Sequence, residues 1–531
     1  MGHQRSAALL AACMCVLAQY STTAFLLGPG RQHRLASTTT ASRTVLQPLQ
    51  AESNDPWIQA LQEAQGKSTG GLLGLEGLEK AGSKLRGLKG PAGEADKRLE
   101  QNSALLNWLA DNGVWVYDKS DWGQAPHSLA VAVDTVDEAE NERAGRGMVA
   151  NREIKEGDEL FHIPLDLLLT KERARTEFGH DVITDDMSEY IAIALLLMGE
   201  RAKGKDSFWA PYINVLPTLD EVAPTWSWPE EELSLLEGSP VIRSTESMAR
   251  KLEAEYAALQ QGILTKHAAL FAADAYTFDA FRWAFAMLFS RAIRLASLSD
   301  GEAIALVPYA DLLNHNPFAN AYVDARQTGW LKKVDEVAVY SDRAYKRMEQ
   351  IYISYGPKSN ADLLLLYGFA LDRNPFNSVD ITVALDGNDP LFPQKKAFLD
   401  GVGQPTTMNF PMYNDRYPDE ALQYLRLICL APEDNKAGVE LDRLEFANKI
   451  SDANELRVLS LIQAACEAAL EGYPTTEEQD TAVMSDRGMF GALTKNQRMA
   501  VKHRRQEKRI LKRTIAAVTK ERQRLSMPLG I

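Results

Sequence analysis

Two short stretches of the chain concentrate side chains able to bind and orient a polar reactant. Leu306-Val307-Pro308-Tyr309-Ala310-Asp311-Leu312-Leu313-Asn314-His315-Asn316-Pro317 runs from a strand-like apolar segment into Asp311, Asn314 and His315. Polar groups buried at a strand end need partners, and a ligand can supply them. On this stretch alone, a turn in which Asn and Asp bond their own backbone is the simpler reading. The second stretch, Ile351 to Asp362, alternates Ile351 and Ile353 with Tyr352 and Ser354, then stops at Gly356-Pro357. Ser359 or Asn360 can cap a helix over Ala361–Tyr367, which meets Gly368. Tyr355 and Tyr367 thus stand at either end of one unit, and phenols so placed suit a narrow pocket with polar tips.

Metal chemistry has little support. The eight histidines are scattered singly, and no group of Cys and His has zinc-ligand spacing. Cys429 and Cys466 read as free buried thiols in helical stretches. The first 51 residues hold Arg5, Arg31, Arg34 and Arg43 and no carboxylate, so 58 − 4 leaves 54 basic against 72 acidic residues, about −18 for the rest. A body that acidic argues against a broad nucleic-acid or anionic-membrane surface. The basic stretch Lys495 to Arg524, with twelve basic and two acidic residues, is the one rival feature. Its apolar stripe of Leu511, Ile515 and Val518 is that of a docked helix.

The N-terminus reads as targeting. An apolar run, Ala7 to Ala18, follows Arg5 and leads to Ser21-Thr22-Thr23-Ala24, a signal-peptide pattern too short to span a membrane. An Arg/Ser/Thr-rich stretch beginning at Phe25 follows, the composition of a transit peptide. The pair resembles the bipartite presequence of algae with secondary red plastids; simple secretion is the alternative. No membrane segment is expected in the mature protein.

The positioning elements read as follows: presequence 1–51, a Gly/Lys/Glu-rich linker 52–100, a strand-rich domain 101–380 interrupted by helices over about 167–285, and a helical domain 381–531. A helix is expected near Leu105 to Asp111. Gly147–Asn151 and Glu159–Ile163 read as a hairpin around Lys155-Glu156-Gly157-Asp158. Strands return at Ala303–Val307 and Gln350–Ser354. Asp452 with Glu455, and Thr494 with Gln497, read as helix-capping pairs.

The order of motifs resembles a SET domain of the subfamily typified by the Rubisco large-subunit lysine methyltransferase of plastids. The resemblance rests on Asp311-Leu312-Leu313-Asn314-His315 with Ser354-Tyr355-Gly356-Pro357-Lys358-Ser359-Asn360, on Phe289-Ser290-Arg291-Ala292, and on Ala144-Gly145-Arg146-Gly147-Met148. Phe208-Trp209, Tyr212-Ile213, Leu216-Pro217 and Trp228 match its helical insert, and coverage runs from about residue 100 to 525. It implies an α+β fold: curved sheets with knot-like threading near Asn314 and Tyr355, a helical insert, and an all-α substrate-binding C-terminal domain. It implies S-adenosylmethionine as cofactor, no metal, and protein-lysine N-methylation in a plastid. Histidine methylation and a non-catalytic binding scaffold are the alternatives. By resemblance Tyr355 is catalytic. Gly145, Arg146, Gly147, Met148, Arg291, Asn314, His315 and Tyr367 bind the cofactor, while Ser290, Asp311 and Tyr367 face the target lysine. The expected partner is a protein, Rubisco large subunit or another stromal protein, acted on by a monomer. The chain departs from the subfamily at Ala144, where Glu is usual, and at Asn316, where Ser is usual.

Overall fold

The computed structural model describes residues 94–116, 127–137, 142–296, 298, 301–321, 323–328, 334–435, 441 and 444–526. The expected presequence and all but the end of the linker lie outside these residues. That end is helical: α1 spans Glu94–Asp111, starting well before Leu105. Leu105 and Leu109 are fully buried one turn apart, and Gly113 beyond them takes a left-handed φ of 86°.

Strands are numbered along the chain and form four small sheets. In the first, β1 (Leu129–Asp137) pairs with β2 (Glu142–Ala150), β2 with β10 (Gln350–Ile353), and β10 with β7 (Asn314–His315). The β7–β10 pairing is parallel, with Tyr352 opposite Asn314 and Ile353 opposite His315. This pairing carries the two chemistry-bearing stretches to one place. In the second sheet β9 (Val334–Tyr340) lies between β3 (Glu159–Pro164) and β8 (Val323–Thr328). In the third β6 (Ala303–Leu306) lies between β4 (Leu169–Thr170) and β5 (Ile293–Leu295).

The hairpin expected around Lys155–Asp158 does not form. The turn is present, with Asp158 N donating to Lys155 O at 3.1 Å. However, β2 has both edges taken, by β1 and by β10, so β3 pairs with β9 instead. Local turn chemistry set the reversal, and partners from much later in the chain set the sheets.

The main core forms around two helices, α2 (Glu189–Lys203) and α3 (Phe278–Arg291). Every residue of α2 from Tyr190 to Met198 is buried. A helix apolar all round belongs inside a domain. α3 runs to Arg291, which brings Ser290 and Arg291 to a helix C-terminus. α4 (Asn360–Tyr367) is capped by Ser359 and Asp362 in a reciprocal box and closes at Gly368, φ 71°.

The C-terminal region is helical with one addition, so it is not all-α. β11 (Ser378–Ala384) and β12 (Thr407–Tyr413) pair antiparallel and send Val379, Ile381, Val383, Phe410 and Met412 into a second core. That core is completed by α5 (Asp452–Glu471) and α6 (Lys495–Ser526). The first cap moves by one residue: Ser451, not Asp452, accepts from Asn454 N. The Thr494–Gln497 pair forms as expected, at 3.0 and 3.2 Å.

α6 answers for its basic composition by burial. Lys502, Arg504 and Lys508 are nearly inaccessible, and Asp480 receives Arg504 at 3.0 Å and Lys508 at 2.6 Å. The same helix reaches the insert: Arg504 donates to Leu235 O at 2.6 Å, and Met499 and Ala500 pack with Leu364 of α4. Cys429 and Cys466 are free thiols, pushed up to about 11 and about 12 by burial.

Candidate active site

Between α3, β5, β8, β10 and α4 lies a partly open cleft. Ser290, Arg291, Asp311, Tyr355 and Tyr367 line it, and Ile293, Leu313, Ala321, Val323 and Ile353 form apolar wall. Five expected site residues therefore meet here from three separate parts of the chain.

Their positions follow from local structure. Three residues beyond β6 stands Tyr309, a buried residue at φ 79°, a conformation costly for a side chain of this size. This reversal feeds a single 3₁₀ turn, Ala310–Leu312, that points Asp311 at the end of α3. Arg291 donates to Asp311 O at 2.9 Å and lies 3.4 Å from Asp311 Oδ2, which also accepts from Tyr212 at 2.8 Å. Burial raises the Asp311 carboxyl above the usual range, and Arg291 and Tyr212 oppose the rise. Burial first, then the Asp311 charge, raises the Tyr212 phenol.

Tyr355 lies in the middle of an aromatic stack. Its ring is 4.9 Å from His315 on one side and 5.1 Å from Tyr367 on the other, each pair close to parallel. Its backbone N–H donates to His315 Nδ1 at 3.0 Å, and its hydroxyl donates to Leu313 O at 2.9 Å. Burial pushes the Tyr355 phenol up to about 12, and burial raises Tyr367 as well. Both phenols stay protonated at neutral pH, and that of Tyr355 donates its hydrogen bond to Leu313 O. Burial also lowers His315 to about 4, keeping its ring neutral.

The other expected cofactor residues sit behind the cleft wall. Asn314 Nδ2 donates to Gln350 Oε1 at 2.8 Å, Thr135 Oγ1 at 3.1 Å and Arg146 O at 3.3 Å. A Cβ on Gly147 would lie 2.6 Å from that amide, so glycine here leaves room for Asn314. Gly145, at φ 74°, opposes Thr135 where the β1–β2 register slips. The Met148 side chain is in the core, leaving only its backbone for any ligand. The Arg146 guanidinium is occupied by Asn102 at 3.0 Å, Val215 O at 2.9 Å and Gln101. Burial, with Arg98 and Arg291 nearby, lowers it to about 10.

Sequence reasoning missed Thr135 and Gln350 as supports of Asn314, and the apolar wall from Ile293, Ala321 and Val323. Tyr212 lay in a matched segment, but nothing in its spacing pointed to Asp311. Asp311 Oδ1 and Arg291 Nε are buried without a hydrogen-bond partner among the described residues. These orphaned atoms, on two residues that line the cleft, fit a polar ligand there.

Comparison with known proteins agrees. Residues 145–356 match the SET-domain family model, and 386–511 match the Rubisco LSMT substrate-binding model. The [fructose-bisphosphate aldolase]-lysine N-methyltransferase, chloroplastic, of Arabidopsis thaliana is 30% identical over 82% of this chain and 86% of its own. The chain belongs to the SET-domain protein methyltransferases of the Rubisco LSMT type. The ribulose-1,5 bisphosphate carboxylase/oxygenase large subunit N-methyltransferase, chloroplastic, of Pisum sativum is 33% identical, covering 63% of this chain and 69% of its own. The human actin-histidine N-methyltransferase is 28% identical, covering 81% and 71%. A structure of Rubisco LSMT bound to sinefungin and monomethyllysine superposes with a TM-score of 0.65 at 28% identity, over 80% of this chain and 93% of that one. A further Rubisco LSMT structure, with AdoMet bound, superposes at 0.63, with 27% identity over 80% and 93%. As a member of this SET family the protein is an S-adenosylmethionine-dependent protein methyltransferase.

Proposed function

We propose that this SET enzyme methylates a lysine ε-amine of a plastid protein. The observation that carries the reading is the narrow cleft itself: aliphatic walls leading to the Tyr355–Tyr367 stack, with the Tyr355 hydroxyl held by Leu313 O. A four-carbon lysine stem suits Ile293, Leu313, Ala321, Val323 and Ile353. The chloroplast relatives and the presequence composition support the plastid.

When bound, S-adenosylmethionine supplies an electrophilic methyl group. The residues that would hold it are Asn314 and His315, Arg291, the backbone of Gly145–Met148, and Tyr367 at the cleft end. Tyr355 orients the reactants, and Ser290 and Asp311 place the amine. An ammonium with an ordinary pKa of about 10.4 must arrive uncharged, and an apolar channel favours its loss of the proton. Holding amine and methyl in line contributes roughly 7–11 kcal/mol when the geometry is good. A protonated Tyr355 at neutral pH fits this orienting role.

The test is incubation of the protein with methyl-labelled S-adenosylmethionine and chloroplast stroma, followed by identification of the modified residue. Methyl-lysine on a stromal protein is the expected product. Methyl-histidine would replace the lysine reading with the second one, which the actin-histidine relatives favour. Absence of any incorporation would leave a binding scaffold.

A further inference from the structure

Asn360 is fully buried at the first position of α4, and it does not line the cleft. Its Nδ2 donates to Leu371 O at 2.8 Å, and its Oδ1 accepts from Leu371 N at 3.2 Å. One amide thus satisfies both backbone groups of a residue 11 positions later, as a neighbouring strand would. The chain between them carries Tyr367, which lines the cleft, and Phe369. The Phe369 ring meets those of Tyr367 at 6.1 Å and His315 at 6.2 Å.

Two further asparagines complete the clamp. Asn374 Nδ2 donates to Asn360 Oδ1 at 3.0 Å and to Lys358 O at 2.8 Å, reaching the turn that follows Tyr355. Asn377 Oδ1 accepts from Asn360 N at 2.9 Å. The stretch leaving Tyr355 and the stretch leaving Tyr367 are therefore tied around one side chain, and the two phenol rings stack at 5.1 Å. Other supports hold the same segment without touching Asn360. A Cβ on Gly368 would overlap Val222 O, and Ala370 N donates to Met499 Sδ of α6 at 3.3 Å. They give the segment a hold that survives loss of the amide.

We propose that Asn360 is a positioning residue for methyl transfer, acting through Leu371 and, with Asn374, through Lys358 O to keep Tyr367 in register with Tyr355. The proposal rests on the cleft as the methyl-transfer site and not on which residue is the target.

The test is a double-mutant cycle on the full chain, with Asn360→Ala, Tyr367→Leu and the two together. Calorimetry reads the affinity for S-adenosylhomocysteine, which needs no target protein, so this readout is separate from the lysine reading. Asn360→Ala should weaken that affinity about tenfold with Tyr367 present, and by less than about twofold in the Tyr367→Leu background. Methyl incorporation into stromal protein should fall about 10²-fold through kcat, the scale of a misplacement by about 1 Å, with KM for the protein unchanged. Equal losses of affinity in both backgrounds would overturn the proposal, because a merely structural residue acts alike with or without the Tyr367 ring. Unchanged affinity, or undiminished turnover, would do the same. If Asn360→Ala does not fold, Asn374→Ala, at a half-buried residue, removes the tie to Lys358 O and repeats the cycle. Loss of folding in both variants would assign the asparagines to the fold alone and overturn the proposal.

Discussion

Gly147→Ala is the sharpest test of how the first sheet holds the site. The added methyl carbon would lie 2.6 Å from Asn314 Nδ2, 2.8 Å from Gln350 Oε1 and 2.9 Å from Thr135 Cγ2. Ordinary contacts for such atoms begin near 3.4 Å, so the amide must withdraw by most of an ångström. Gly147 is not in the left-handed region and lies opposite Ala132, the last pair before the β1–β2 register slips, so its backbone does not itself forbid alanine. The cost therefore falls on the hydrogen bonds. Asn314 Nδ2 makes two of 3.1 Å or shorter and one of 3.3 Å, and at about 0.5–1.5 kcal/mol each the disruption of the two shorter ones costs about 1–3 kcal/mol. Since Asn314 would also face the cofactor, affinity for S-adenosylhomocysteine should fall by about tenfold or more, the equivalent of 1.4 kcal/mol. Calorimetric titration reads the affinity, and urea unfolding reads the stability. Affinity and stability both within experimental error of wild type would refute the reasoning, since they would mean that Asn314 moves freely and holds nothing.

Tyr355→Phe removes the hydroxyl bonded to Leu313 O and should lower turnover by about 10²–10³-fold, in the range seen for one preorganised donor, while S-adenosylhomocysteine binding changes little. Single-turnover methyl transfer checks it, and unchanged turnover would remove Tyr355 from the chemistry. Asp480→Asn leaves Arg504 and Lys508 without their shared carboxylate and should destabilise the chain by about 3–5 kcal/mol, read by chemical denaturation. His315 has a folded value of about 4 against 6.5 for the free ring, so the unfolded chain binds the extra proton first. Its contribution is therefore whole above pH 6.5 and is lost as pH falls toward 4, by up to about 3 kcal/mol. His315→Gln should flatten that part of the stability profile, and an unchanged slope would assign it to other groups.

Much of the fold was legible because it was local. The Ser359 and Thr494 caps and the Gly368 stop are decided within a turn or two of chain. The strands at Ala303 and Gln350 appeared where alternation placed them. Pairing was not local. Glu159–Pro164 looked like a hairpin partner for the strand before it, and found Val334–Tyr340 instead, because the nearer strand had no free edge. Ser378–Ala384 lies in a region read as helical, and became a strand because Thr407–Tyr413 covered its edge.

The site divides the same way. Residue type and motif order determined that Asn314, His315, Tyr355 and Tyr367 belong together, and with them the family and its cofactor. Tertiary structure alone decided that Tyr355 is stacked between His315 and Tyr367, that Tyr212 and Arg291 converge on Asp311, and that Arg146 is occupied by protein. It also decided that Lys358, an ordinary surface residue by composition, is largely buried. The physical reason is that burial and pairing depend on which distant segments arrive beside a residue. No run of neighbours in the chain encodes that. The parallel register of Asn314–His315 against Tyr352–Ile353 brings those segments together, and the chemistry of the cleft follows from it.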